Sequence, residues 1–128
     1  MSRVQKPLFS IPVASTSLSD EPVVFFDGGD VILRFTWHSG GKQVTGQIVF
    51  DRARAFRNLA EPYCTEWHIK DAYDTVVEVE NSDWASELID AAPEHLKRAF
   101  VMNHYLVYLD SFGALEVIAA VAVMSTVK

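Results

Sequence analysis

The sequence predicts an α+β fold: a mainly antiparallel sheet of about five or six strands, with two or three short helices on one side. Three observations predict it. Two alternating apolar runs, 31–37 and 44–50, flank the Gly40-Gly41 pair, as the arms of a hairpin do. A capped amphipathic helix starts at Ser82. A second, strongly apolar hairpin fills 104–124 around Asp110-Ser111-Phe112-Gly113. Strands come first, then helical pieces, then strands, without βαβ alternation, internal repeats or low-complexity tracts.

The elements follow in order. Residues 1–21 are rich in Ser and Pro, and Ser15 to Glu21 reads as a loop or a mobile arm. Val23 to Phe26 is a short strand of the buried type, and Asp27-Gly28-Gly29-Asp30 a tight turn. Val31 to Trp37 forms the next strand. Its Val31, Leu33, Phe35 and Trp37 share one face, with Ile32 and Arg34 on the other. His38 to Lys42 turns the chain, and Val44 to Phe50 returns. Residues 51–60 are open between helix and bulged strand. Helix formers and an Asp51 cap favour a short helix, while Phe50, Arg52, Arg54 and Phe56 alternate as a strand would. Glu66 to Tyr73 is a helical turn or a structured loop. Thr75 to Glu80 alternates as a half-exposed strand, Val77 and Val79 on one face and Val76, Glu78 and Glu80 on the other.

In the Ser82 helix, Trp84, Ala85, Leu88, Ile89 and Ala92 make the apolar stripe, and Asp83, Glu87 and Asp90 face water. Pro93 ends it. A second short piece runs from Glu94 to Phe100, with Leu96 and Phe100 one turn apart. In the final hairpin the turn predicts Leu109 opposite Leu115, Val107 opposite Val117 and Tyr105 opposite Ala119, with Tyr108 facing Glu116 on the other side. That second face also carries His104, Leu106 and Ile118, a mixture that a helix or a neighbouring subunit would cover.

Length and composition set the class. The 128 residues suit a single domain over 1–128, and 49% apolar content argues against disorder. The single cysteine, Cys64, cannot make an internal disulfide, which favours a reducing, cytoplasmic setting. The opening residues lack the apolar core of a signal peptide, and no apolar stretch is long enough to span a membrane.

The net charge is −6, unevenly spread. Residues 61–94 hold ten acids (Glu61, Glu66, Asp71, Asp74, Glu78, Glu80, Asp83, Glu87, Asp90 and Glu94) against one base, Lys70. The rest of the chain holds seven acids and ten bases. The acidic block repels phosphates and disfavours nucleic acid as a ligand. It suits a basic protein partner, although blocks of charge also serve as plain solvated faces.

No catalytic spacing stands out. Cys64, Glu66 and His68 would share one face of an extended segment, with Asp71 beyond, but they match no zinc spacing, and a structural thiol is the preferred reading. His38, His68, His95 and His104 are scattered. Asp27-Gly28-Gly29-Asp30 is too short for a calcium loop. Arg52, Arg54 and Arg57 are expected to pair with the acidic segment, within the fold or across a dimer. Trp37, Trp67 and Trp84 read as core or half-buried anchors, and Trp67, set among acids, as an interface anchor. No cofactor and no metal is expected.

Two stretches carry a resemblance: Trp67-His68-Ile69 with Ala72-Tyr73-Asp74 and Ser82-Asp83-Trp84 through Glu87-Leu88, and His104 to Asp110 with Gly113, Glu116-Val117 and Ala119. They resemble small bacterial proteins, some similar to immunity proteins that neutralise polymorphic toxins. The resemblance implies a binding role and transfers no catalytic residue. The leading expectation is therefore a non-enzymatic binding module, an immunity protein that meets a basic toxin through Glu66, Trp67, Asp71, Tyr73, Asp74, Glu78 and Glu80. A small-ligand binder or enzyme using the Cys64/His68 region or the His104/Tyr108/Glu116 face is the alternative. A structural homo-oligomer is the third reading, and a homodimer is compatible with each.

Overall fold

Nine antiparallel strands divide between two stacked sheets in the computed structural model, which describes residues 4–97, 99 and 101–127. The strands are β1 (Val4–Ser10), β2 (Val23–Asp27), β3 (Asp30–Ser39), β4 (Lys42–Asp51), β5 (Ala55–Leu59), β6 (Thr75–Glu80), β7 (Asn103–Leu109), β8 (Gly113–Ala119) and β9 (Val121–Val127). The helices are α1 (Glu66–Ile69) and α2 (Asp83–Ala91). One sheet has the order β1-β6-β7-β8-β5, and the other β2-β3-β4-β9. The fold is α+β as the pattern predicts, with the strands shared between two layers.

Period-2 side chains explain the layering. Val31, Leu33 and Phe35 of β3 and Ile48 and Phe50 of β4 face inward from the four-stranded sheet. They meet Val76, Tyr105, Val107, Leu109, Leu115 and Val117 of the five-stranded sheet, and all are buried. Trp37 packs at the margin, stacked on Phe35 with centroids 5.7 Å apart. The opposite face of the five-stranded sheet forms a second cluster, in which Val77, Val79, Leu106, Tyr108 and Ala114 are covered in part by Trp67 and Ile69.

Both glycine-pair turns form as read. Gly28 and Gly29 (φ 59° and 90°) join β2 to β3, and Gly40 and Gly41 (φ 58° and 79°) join β3 to β4. Ser82 caps α2, its Oγ accepting from the Ala85 N–H at 3.0 Å. Glu66–Ile69 is a single helical turn, and Glu94–Leu96 a 3-10 turn. Phe100, the predicted end of that second piece, lies outside the described residues.

Three expectations need correction or completion. Residues 51–60 form no helix. Arg52 sits in the left-handed region (φ 51°), and β5 follows. The β4–β9 ladder pairs Asp51 with Val121, and the β5–β8 ladder resumes with Ala55 opposite Ile118, one residue out of step. That extra residue is a bulge, and it bends one two-stranded ribbon from the four-stranded sheet into the five-stranded one. The final hairpin closes two residues tighter than predicted. Leu109 faces Gly113, Val107 faces Leu115, Tyr105 faces Val117 and Leu106, not Tyr108, faces Glu116. Ser111 takes the left-handed conformation (φ 62°), with its N–H held by Glu61 Oε2 at 2.6 Å, so Gly113 already belongs to the strand. A Cβ on Gly113 (φ 102°) would overlap the Leu59 carbonyl oxygen. The shift is even, so the faces stay as read. Finally, Val4–Ser10 forms an edge strand against β6, in a stretch that offers no periodicity of its own.

Candidate functional site

The outer face of the five-stranded sheet holds most of the molecule's buried polar chemistry. Register puts Arg57 of β5 opposite Glu116 of β8, and His104 of β7 opposite Ile118 beside it. Arg57 grips Glu116 with a fork, Nε donating to Oε2 at 3.0 Å and Nη2 to Oε1 at 3.1 Å. His104 Nε2 lies 2.7 Å from Glu116 Oε1, and its Nδ1 lies 2.7 Å from Ser82 Oγ. Trp84, two residues into α2, covers the group. Its ring meets His104 edge-on at 5.2 Å, and the Arg57 guanidinium carbon sits 4.0 Å from its centroid.

The chain of contacts runs from a buried helix cap to a half-exposed arginine. The side chain of His104 is 0% exposed, that of Glu116 5% and that of Arg57 50%. Burial opposes the Glu116 charge, but hydrogen bonds from His104 and Arg57 and the positive charge of Arg57 outweigh it, holding the carboxyl down to about 2. Serine, histidine and carboxylate stand here in the order of a nucleophile, its base and an orienting acid. Ser82 nevertheless is buried, already accepts from Ala85 N–H, and lines neither the cleft beside Arg57 nor the one under the 15–22 loop. The network as built locks α2 onto β7 and β8.

A cleft of about 240 Å³ opens beside it, lined by Arg57, Asn58, Leu59, His68 and Glu116. His68 Nδ1 accepts from the Thr65 N–H at 3.0 Å, closing the first turn of α1. Cys64 lies nearby with its thiol directed at the Leu59 and Ala60 carbonyl oxygens, at 3.5 and 3.6 Å. Burial pushes that thiol up, away from a nucleophilic thiolate. Cys64, Glu66 and His68 do not share a face, because Glu66 and His68 fall within the helical turn. Among the described residues no group of three His, Cys, Asp or Glu side chains is placed to hold a metal ion. A second cleft, about 290 Å³, is lined by the 15–22 loop with Asp110 and Ser111.

The seven residues expected to meet a partner fall into three settings. Glu66, Trp67, Asp71 and Tyr73 belong to the helical layer over the five-stranded sheet, Trp67 half-buried and the other three exposed. Asp74 turns inward (φ 54°), its Oδ2 accepting from the Ser15 N–H at 3.1 Å. Glu78 and Glu80 project on the Val76 side of β6, Glu78 opposite Lys6 and Tyr105, Glu80 opposite Val4. Asp83, Glu87 and Asp90, read only as solvent-facing, are exposed on α2 in the same layer as Glu66 and Asp71. Glu61 is structural, its Oε2 accepting from Tyr108 OH at 2.9 Å as well as from Ser111.

The arginine expectation also changes. Arg57 pairs with Glu116, outside the acidic block, because strand register sets it opposite. Arg52 pairs with its neighbour Asp51 at 2.9 Å. The His104 and Glu116 face was legible from strand alternation. Arg57 and Ser82 were not, since nothing local marks which strand or cap they would meet.

Searches of family models, of curated proteins and of solved structures find no match to this chain. No helix is long and apolar enough to cross a membrane among the described residues.

Proposed function

We propose that this chain is a non-enzymatic protein-binding module that captures a basic protein partner, a toxin in the immunity reading, through its helical layer. One observation carries the proposal. Glu66, Asp71, Asp83, Glu87 and Asp90 are exposed on that layer, and none makes an ion pair among the described residues. Asp90 lies in the last turn of α2, where the helix dipole disfavours a carboxylate, and that turn carries no basic residue. Charge kept at a local cost suits a surface selected for what it meets, and such a surface steers a basic partner into fast encounter.

The test is a pull-down with this protein as bait, beside a variant carrying Glu66→Gln, Asp71→Asn, Asp83→Asn, Glu87→Gln and Asp90→Asn. A basic protein held by the native chain at low salt, released at moderate salt and ignored by the variant would support the reading. Equal retention by the variant, or capture of nothing basic, would count against it.

The cleft beside Arg57 and His68 supports the small-ligand reading as the second choice. A screen of small carboxylates and phosphates for thermal stabilisation, lost in Arg57→Lys, would raise it above the first.

A further inference from the structure

The two sheets leave four strand edges, β1, β5, β2 and β9, and three of them are protected. An unprotected edge offers a row of N–H and C=O groups to any other strand, and proteins blunt it with charge, proline, bulges or shortness. β1 contains Lys6 and Pro7, and its register slips between Pro7 and Phe9. β2 has five residues, follows Pro22 and ends in Asp27. β5 also has five, with Arg57 at its centre.

β9 has none of these devices. Its seven residues, Val-Ala-Val-Met-Ser-Thr-Val, hold no charge and no proline, and all seven pair with β4 in unbroken register. Val121, Val123 and Val127 project to the outer face and are exposed, Val123 by 51%. There they continue an apolar stripe that runs through Phe25, Ile32 and Val49 in register across β2, β3 and β4. Among the described residues no helix covers this face.

We propose that β9 pairs antiparallel with β9 of a second copy, about a two-fold axis at Met124, joining two four-stranded sheets into one of eight strands. The sequence of β9 favours a copy of itself as the occupant. Of the symmetric registers, the one centred on Met124 pairs all seven residues. It sets Val121 opposite Val127, Ala122 opposite Thr126 and Val123 opposite Ser125, outer residues with outer and inner with inner. Charge agrees. Two chains of net charge −6 repel, and they meet most cheaply over an uncharged strand. The antiparallel order also keeps the Asp51 ends of the two β4 strands at opposite ends of the seam, with both β9 strands between them. The acidic helical layer lies on the other sheet and stays open in both copies, so this dimer stands or falls independently of the proposed partner capture.

The test uses the full chain and two double variants at the exposed positions 123 and 125. In the proposed register these face each other across the axis. V123K/S125K sets lysine against lysine twice, and V123K/S125E sets lysine against glutamate twice. Mass in solution, by light scattering or sedimentation across a dilution series, should be twice the chain mass for the native protein and for V123K/S125E, and one chain mass for V123K/S125K. Circular dichroism would confirm that both variants are folded. A native protein at one chain mass throughout overturns the proposal. So does a native dimer that both variants break, or that neither breaks, since each places the contact in another register or on another surface.

Discussion

Opposing effects meet in the side chain of Glu116, where burial disfavours the charge that His104 and Arg57 favour. It is a buried carboxylate held by His104 and by the fork of Arg57. Removing one member of such a group strands the others, so Glu116→Gln should destabilise the fold by roughly 3 kcal/mol in urea denaturation. Its pH signature has a definite sign. The folded carboxyl titrates near 2, below its ordinary value of 4.5, so the unfolded chain takes up the proton first. The stabilisation is complete above about pH 4.5 and fades as pH falls towards about 2. Denaturation midpoints across that window should drop in the native chain and drop less in Glu116→Gln. An unchanged slope would mean that another carboxylate governs the acid limb.

At the scale of elements, the ribbon that turns between sheets hangs on Arg52. A non-glycine residue at φ 51° is strained by about 1–2 kcal/mol, and its exposed pair with Asp51 returns little of that. Arg52→Gly should therefore leave stability within about 1 kcal/mol of native or raise it, while Arg52→Val should lower it by roughly 2 kcal/mol. Thermal unfolding of the two variants decides. The same bulge explains what could be read in advance. Period-2 runs such as Val31–Trp37 and Thr75–Glu80, and the Ser82 cap, state their element locally. Residues 51–60 do not, because helix formers fill a segment whose shape is dictated by β8, some sixty residues away in sequence. Likewise Val4–Ser10 is a strand only because β6 offers it an edge. The candidate site divided along the same line: the His104/Glu116 face follows from alternation, whereas Arg57 needed the β5–β8 register and Ser82 needed α2 docked.

For the molecule as a whole, the acidic layer and the stability of the fold pull in different directions. Asp90→Lys should raise stability by about 0.3–1 kcal/mol, since it offers the dipole of α2 a cation where a carboxylate now stands. The same change should weaken capture of a basic partner. A loss of stability instead would show that Asp90 serves the fold, and would remove the main support for an interaction surface there. The ribbon of β4–β5 against β8–β9 has one more consequence, for time rather than for shape. Its strands belong to both sheets, so Ile48 in one layer and Leu115 in the other ride on a single ladder, and Thr45 finds its partner only when Val127 arrives. Pairings so distant in sequence make for slow folding. They also leave no layer able to open alone, so the amide hydrogens of Ile48 and Leu115 should exchange with solvent at one shared rate, that of the whole protein coming undone.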